Sequence, residues 1–233
     1  GLGKSLGYKT TADGSSLSND YPTGGLLYTF PNLTTTALWY ARGADSGTDF
    51  LFSYKLNVSQ STLGTLMVYA SSTYLTVRIY QTASTFRQIR WTWSNIEAAF
   101  ADAGYNFNFD KDSMNHYAIT FDRTAFAADN DNGVGLYING KLISEMGGAG
   151  GLTPVYGGSG TSMGGTNLQK LAIGAGFTSL GTYHMHGAMC HFTIYKKKLS
   201  ATEINYLYAS GRRPQPITIS DLVHYWPMDT ESD

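Results

Sequence analysis

A single cysteine, Cys190, stands in 233 residues, so the chain cannot close a disulfide on itself and offers no thiolate cluster to a metal. Cohesion has to come from a packed core. Neither sign of charge predominates: 16 Lys and Arg face 17 Asp and Glu, a net charge of −1. Without a basic excess to neutralise phosphates, no nucleic-acid partner is expected. No run approaches the roughly 20 apolar residues of a membrane-spanning helix, so no membrane insertion is expected either. The first residues, Gly1-Leu-Gly-Lys4, lack the charged-then-apolar plan of a signal peptide. With no initiating Met, the chain reads as a processed product, an expression fragment or a segment of something longer. Glutamate is scarce, confined to Glu97, Glu145, Glu203 and Glu231. A glycosidase needs two carboxylates flanking the scissile bond, and no two of these glutamates stand close together in the sequence; the expectation is a non-catalytic protein.

What is abundant is Gly, Ser, Thr, Tyr and Asn, a mixture suited to short strands, turns and a hydrogen-bonding surface. The chain is organised around Asn115 to Asp122 and Val134 to Ile143. Tyr117, Ile119 and Phe121 fall on one face of an extended segment, and Val134, Leu136 and Ile138 on one face of the next, the two-residue period of half-buried strands. A polar turn, Asp129-Asn-Asp-Asn-Gly133, should join them, and Asn139-Gly140 should make a second tight turn, giving a meander.

Upstream, residues 1–25 read as a short strand and a long loop. Strands are then expected over 26–30, 35–41, 50–56, 63–70, 74–80 and 86–93, the regular spacing of a sandwich. Arg78, Arg87 and Arg90 would form one ridge, first read as a solvated face and otherwise as a contact for an acidic partner. Ile96, Ala99, Phe100 and Ala103 recur at helical spacing, so 95–108 should hold a short insertion helix followed by an aromatic segment with Tyr105, Phe107 and Phe109. The glycine-rich run 147–165 has no apolar periodicity and reads as a long loop with Tyr156 as its lone aromatic. Near the end, Ser200 and Glu203 form a capping box, Leu199 and Ile204 the accompanying staple, and Gly211 the stop of a short helix.

Several of these motifs resemble the laminin-G-like domains of the concanavalin A-like lectin/glucanase superfamily. They are His116 to Thr120, the hydrophobic-Tyr-hydrophobic-Asn-Gly-Lys hairpin ending at Lys141, Leu171-Ala-Ile-Gly174, and the closing Gly187 to Tyr195 strand followed by Leu199-Ser-Ala-Thr-Glu-Ile204. The likeness is close over 115–211 and loose over 1–114. It implies an all-β fold: an antiparallel jelly-roll β-sandwich with one short C-terminal helix and a short insertion helix, spanning 1–211, with Trp39 as a core residue. Relatives carry an acidic residue three positions after the Gly of that last strand, whereas Gly187 is followed by Ala188, Met189 and Cys190, which implies that any family site using that acid is lost. The tail 212–233 holds Asp221-Leu-Val-His-Tyr-Trp-Pro-Met-Asp229, which resembles the family's first strand. It either completes this sandwich as a permuted strand or begins a further domain.

The candidate site residues are therefore aromatics in loops, where sugar rings stack: Tyr105, Phe107, Tyr156 and Tyr183, with His184 beside the last. His184-x-His186, Cys190 and His191 suggest zinc, but strand alternation turns Cys190 and His191 to opposite faces. No cofactor is required by this reading. Calcium stays open, because relatives bind it and because the acidic turn holding Asp129 and Asp131, or Asp45 and Asp49, could supply oxygen ligands; an EF-hand's spacing is absent. The expected role is a glycan-binding or adhesion module, with a glycan or cell-surface receptor as partner, on the exterior of a cell or virion. By analogy the parent would be an appendage such as a phage tail or decoration protein. The alternative is a structural module contacting neighbouring subunits.

Overall fold

A computed structural model describes residues 33–43, 47–55, 65–80, 85–102, 109–128, 133–143, 153–159, 172–174, 185–211 and 219–226. In chain order, β1 (Leu33–Ala41), β2 (Asp49–Lys55), β3 (Thr65–Ala70), β4 (Tyr74–Tyr80) and β5 (Thr85–Thr92) lead into helix α1 (Trp93–Asp102). Then come β6 (Asn115–Asp122), α2 (Arg123–Ala128), β7 (Val134–Ile138), β8 (Lys141–Leu142), β9 (Thr153–Ser159) and β10 (Ala172–Ile173). The last elements are β11 (Ala188–Tyr195), α3 (Ala201–Ala209) and β12 (Leu222–Trp226). The strands form two six-stranded sheets, ordered β12-β11-β1-β6-β7-β8 and β10-β2-β3-β4-β5-β9, and every pairing is antiparallel.

Alternation decides which side of each sheet meets the other. Leu38 and Tyr40 of β1, Tyr117, Ile119 and Phe121 of β6, and Leu136 and Ile138 of β7 point into one apolar core. They meet Leu66 and Val68 of β3, Leu75, Val77 and Ile79 of β4, and Ile89 and Trp91 of β5 from the opposite sheet. Each such side chain, buried whole, favours the folded state by about 1.5–3 kcal/mol. Two threonines on the same side of β1, Thr34 and Thr36, turn their hydroxyls to Tyr54 Oη of β2 at 3.1 and 3.2 Å, so the polar tip of that tyrosine is paired across the sheets.

The central meander is as the periodicity predicts: β6 and β7 pair from Tyr117↔Ile138 to Phe121↔Val134. Asn139 and Gly140 turn the chain with φ of +49° and +78°, the left-handed pair a two-residue hairpin requires. A Cβ at Gly140 would lie 2.7 Å from Asn205 Oδ1, so glycine also lets α3 approach the turn. That helix has the capping box read from the sequence, Glu203 N to Ser200 Oγ at 3.3 Å and Ser200 N to Glu203 Oε2 at 2.9 Å. It lays Ile204 and Leu207 on the outer side of the first sheet, against Ala37, Ala118 and Tyr195.

Other expectations are corrected. Trp39 does not enter the sandwich core; it lies on the outer side of β1, stacked on Tyr208 of α3 at 6.0 Å and edge-on to His116. The β6–β7 connection is no simple turn, because Asp122 Oδ1 accepts from Thr124 N and Ala125 N and starts α2. The glycine-rich run contains β9, paired with β5. The insertion helix begins earlier, at Trp93, with Thr92 Oγ1 accepting from Asn95 N at 3.2 Å as its cap. Its Ile96 and Phe100, with Phe109, close one end of the core. β12 forms the edge of the first sheet beside β11, where Trp226 packs on Phe192 at 5.7 Å and Tyr225 Oη meets His191 Nδ1 at 2.7 Å.

Candidate functional site

One end of the sandwich gathers the β1–β2 connection, the β3–β4 turn, α1 and the approach to β11. It is tied together by a buried carboxylate. Asp49, at the start of β2, accepts from Tyr40 Oη and Gly43 N on Oδ2, and from His186 N at 2.9 Å on Oδ1. His186 Nδ1 lies 3.4 Å from the same Oδ1. Burial, with the Asp49 carboxylate beside it, pushes the Tyr40 hydroxyl far above its usual range, so it stays protonated and donates. The backbones behind it touch: a Cβ at Gly187 would fall 2.1 Å from Ala41 O, and one at Gly43 would fall 2.6 Å from His186 O. Asp49 thus joins the two sheets, with its oxygens already engaged by donors. Above it, Arg42 reaches Asp112 at 3.7 Å and Gly47 O at 3.5 Å, and Asp110 closes a turn on Ser113 and Asp112 N.

Beside this end, on the side of the second sheet turned away from the core, lies a platform of aromatic and cationic side chains. Register places Tyr69 of β3, Thr76 of β4 and Arg90 of β5 in one row across three strands. Tyr74 and Arg78 flank Thr76 two residues away along β4, so all five share a side. Thr76 is buried at 1% exposure, whereas the four larger residues around it remain half-buried. They form two diagonal pairs: the Arg78 guanidinium lies 5.1 Å from the Tyr69 ring centre and that of Arg90 5.4 Å from Tyr74, within cation–π range. Arg78 NH2 donates to Tyr69 Oη at 2.6 Å, and its Nε and NH2 both donate to Gln88 Oε1 at 3.2 and 2.9 Å. Phe50 stacks on the outer flank of Tyr69 at 5.6 Å.

Arg87 does not join this ridge: it pairs with Ile79, one residue out of phase with Arg78 and Arg90. Of the residues singled out in the sequence, Tyr105, Phe107, Tyr183, His184, Asp45, Asp129 and Asp131 lie outside the described residues. Tyr156 falls in β9, in register with Arg87, and its side chain is likewise outside the description. Asp49 is the clasp just described. His186 precedes β11 rather than lying in a strand, and His191, at φ +52°, bonds Tyr225 across the β11–β12 edge. Among the described residues no three His, Cys, Asp or Glu side chains converge as metal ligands. Tyr69 and Tyr74 were not singled out in the sequence; the signal available was the alternation of Tyr74 with Arg78 along one strand.

The fold is a sandwich of two antiparallel sheets, and the chain belongs to the concanavalin A-like lectin/glucanases superfamily: the Laminin_G_3 family matches residues 13–205. No curated protein matches it. Among solved structures it is similar to a candidate carbohydrate binding protein from Bacteroides ovatus, at 14% identity and TM-score 0.48, with 90% of this chain covering 48% of that one. The chain thus spans about half the length of that protein. It is also similar to the Ruminococcus gnavus IT-sialidase CBM40 bound to α2,3 sialyllactose, at 10% identity, TM-score 0.41, and 76% and 82% of the two chains. A third similar structure is the binding domain of botulinum neurotoxin DC in complex with SialylT, at 14% identity, TM-score 0.41, and 79% and 36% coverage.

Proposed function

We propose that this protein is a non-catalytic glycan-binding module and that the Tyr69–Tyr74–Arg78–Arg90 platform is its binding surface. The platform itself carries the reading. Sugars are recognised by flat aromatic faces that receive their C–H surfaces and by fixed polar groups that bond their hydroxyls, and four half-buried residues here supply both on rigid strands. Membership in a superfamily of lectins and glucanases is consistent with it. A glucanase role is disfavoured by chemistry: bond cleavage needs two carboxylates at the sugar, and the only acid in the described strands β2 to β5 is Asp49, turned to the Tyr40 clasp.

The partner is then a glycan of a cell surface, and the module acts outside a cell or on a virion. A glycan-array screen of the whole chain tests the proposal. Specific retention lost in Tyr74→Ala, with an unchanged unfolding midpoint, is the expected result; retention unaffected by that substitution would move the site elsewhere.

A second reading, subunit contact, draws on β12, which edges its sheet with Leu222, Val223, Tyr225 and Trp226 only partly buried. An unpaired strand edge is a template for another chain. Sedimentation showing a stable oligomer that dissociates on β12 substitution would favour it.

A further inference from the structure

We propose that the glycan recognised on this platform is acidic, with Arg90 pairing directly with a sugar carboxylate and Arg78 orienting the donors beside it. The inference rests on the glycan-binding reading and narrows its ligand class.

The first argument is charge. The chain as a whole is nearly neutral, yet the described side chains on the outer side of β2 to β5 include two charged groups, Arg78 and Arg90, both positive. Among the described residues no carboxylate forms an ion pair with Arg90. Its guanidinium is held over the Tyr74 ring instead, and a guanidinium fork pairs with a carboxylate through two parallel N–H donors.

The second argument is the polarity of the hydrogen bonds. Gln88, itself buried at 3% exposure, accepts from both Nε and NH2 of Arg78 through Oε1 and so holds that guanidinium in place. Tyr69 Oη accepts from Arg78, which leaves the phenolic proton to be donated. Arginine has no acceptor at all. The array therefore offers donors: a guanidinium and a phenol O–H. A neutral sugar hydroxyl needs acceptors as well as donors, whereas a carboxylate accepts at both oxygens and donates nothing. Buried Thr76 sets the rows close, which brings the Tyr74 ring beside the charge, while Tyr69 is already engaged by Phe50 and Arg78. The shared chemistry is a ring-borne or exocyclic carboxylate, from a uronic acid or from a terminal acidic sugar.

Titration calorimetry on the full chain decides the matter with two probe pairs: trigalacturonic acid against its methyl ester, and sialyllactose against lactose. The acidic member of at least one pair should bind about tenfold or more tightly than its neutral partner, and which pair responds tells the two sources apart. Arg90→Gln should bring the acid down to the neutral level, while Arg90→Lys, which keeps the charge without the fork, should recover part of the difference. Matching urea midpoints for both variants would show that the fold is intact. Equal affinity for acid and neutral members overturns the inference and leaves the glycan reading standing. Retention of no glycan, in these pairs or on the array, overturns both.

Discussion

At the scale of single residues, two buried polar groups govern how the sandwich responds to change. Asp49 Oδ2 is shared by Tyr40 Oη and Gly43 N, and Oδ1 by His186 N. Asp49→Asn keeps the shape but points an NH2 at one pair of donors, so charge-assisted bonds worth about 1.5–3 kcal/mol are lost or inverted. We expect stability to fall by about 2–3 kcal/mol in urea titrations, with the β2 end and its Phe50–Tyr69 stack loosened first. His116 behaves differently. It is buried between Trp39 and Tyr208 with Nδ1 unpartnered, and that burial holds its pKa down at about 3 against an ordinary value near 6.5. The folded imidazole stays neutral where the unfolded one takes up a proton. Stability from this group is therefore complete above about pH 6.5 and is lost as pH falls toward 3, with a slope of at most about 1.4 kcal/mol per pH unit. Urea midpoints between pH 7 and pH 4 should fall steeply in the wild type and less so in His116→Gln; parallel slopes would remove His116 from the account.

At the scale of elements, legibility follows the range of the signal. The β6–β7–β8 meander and the capped α3 could be read in advance because alternation, Asn139-Gly140 and the Ser200/Glu203 box are contained within a few consecutive residues. Helix α2 was missed because Asp122 caps it from inside a strand, and β9 because strand pairing with β5 overrides glycine-rich composition. The platform was only half visible. Arg78 and Arg90 stood out as charges, but Arg87 was grouped with them, and the place of Tyr69 beside Arg78 depends on the β3–β4 register, which no single segment displays. Trp39 was assigned to the wrong side of β1, where one residue of phase separates the core from α3. The edge strand β12 makes its own prediction. Trp226 packs on Phe192 and Val223 on the same core, so Trp226→Ala should cost about 2–4 kcal/mol, less than a fully enclosed Trp because the site is partly open. A loss below about 0.5 kcal/mol in chemical unfolding would mean that β12 contributes little to this sandwich.

At the scale of the whole molecule, the question of calcium turns on distance. The described flanks of Asp45, at Gly43 and Gly47, lie at the end where β6 begins with Asn115, because Tyr40 pairs with Asn115. The flanks of Asp129 and Asp131 lie at the other end, where Asp122 N bonds Gly133 O at 2.7 Å. The length of β6, roughly 23 Å at ~3.3 Å per residue, separates them, so the two acidic segments would not naturally share one ion, and Asp49 is already engaged by donors. An ion bound only by the folded chain would raise stability by about 2.7 kcal/mol at a hundred times its dissociation constant. We expect millimolar calcium and chelator to give the same melting midpoint within about one degree, and glycan retention to be unchanged by either. A calcium-dependent rise would instead place an ion at one end. Loss of that rise in Asp129→Asn would assign it to the segment between Ala128 and Gly133, and loss in Asp45→Asn would assign it to the segment between Gly43 and Gly47.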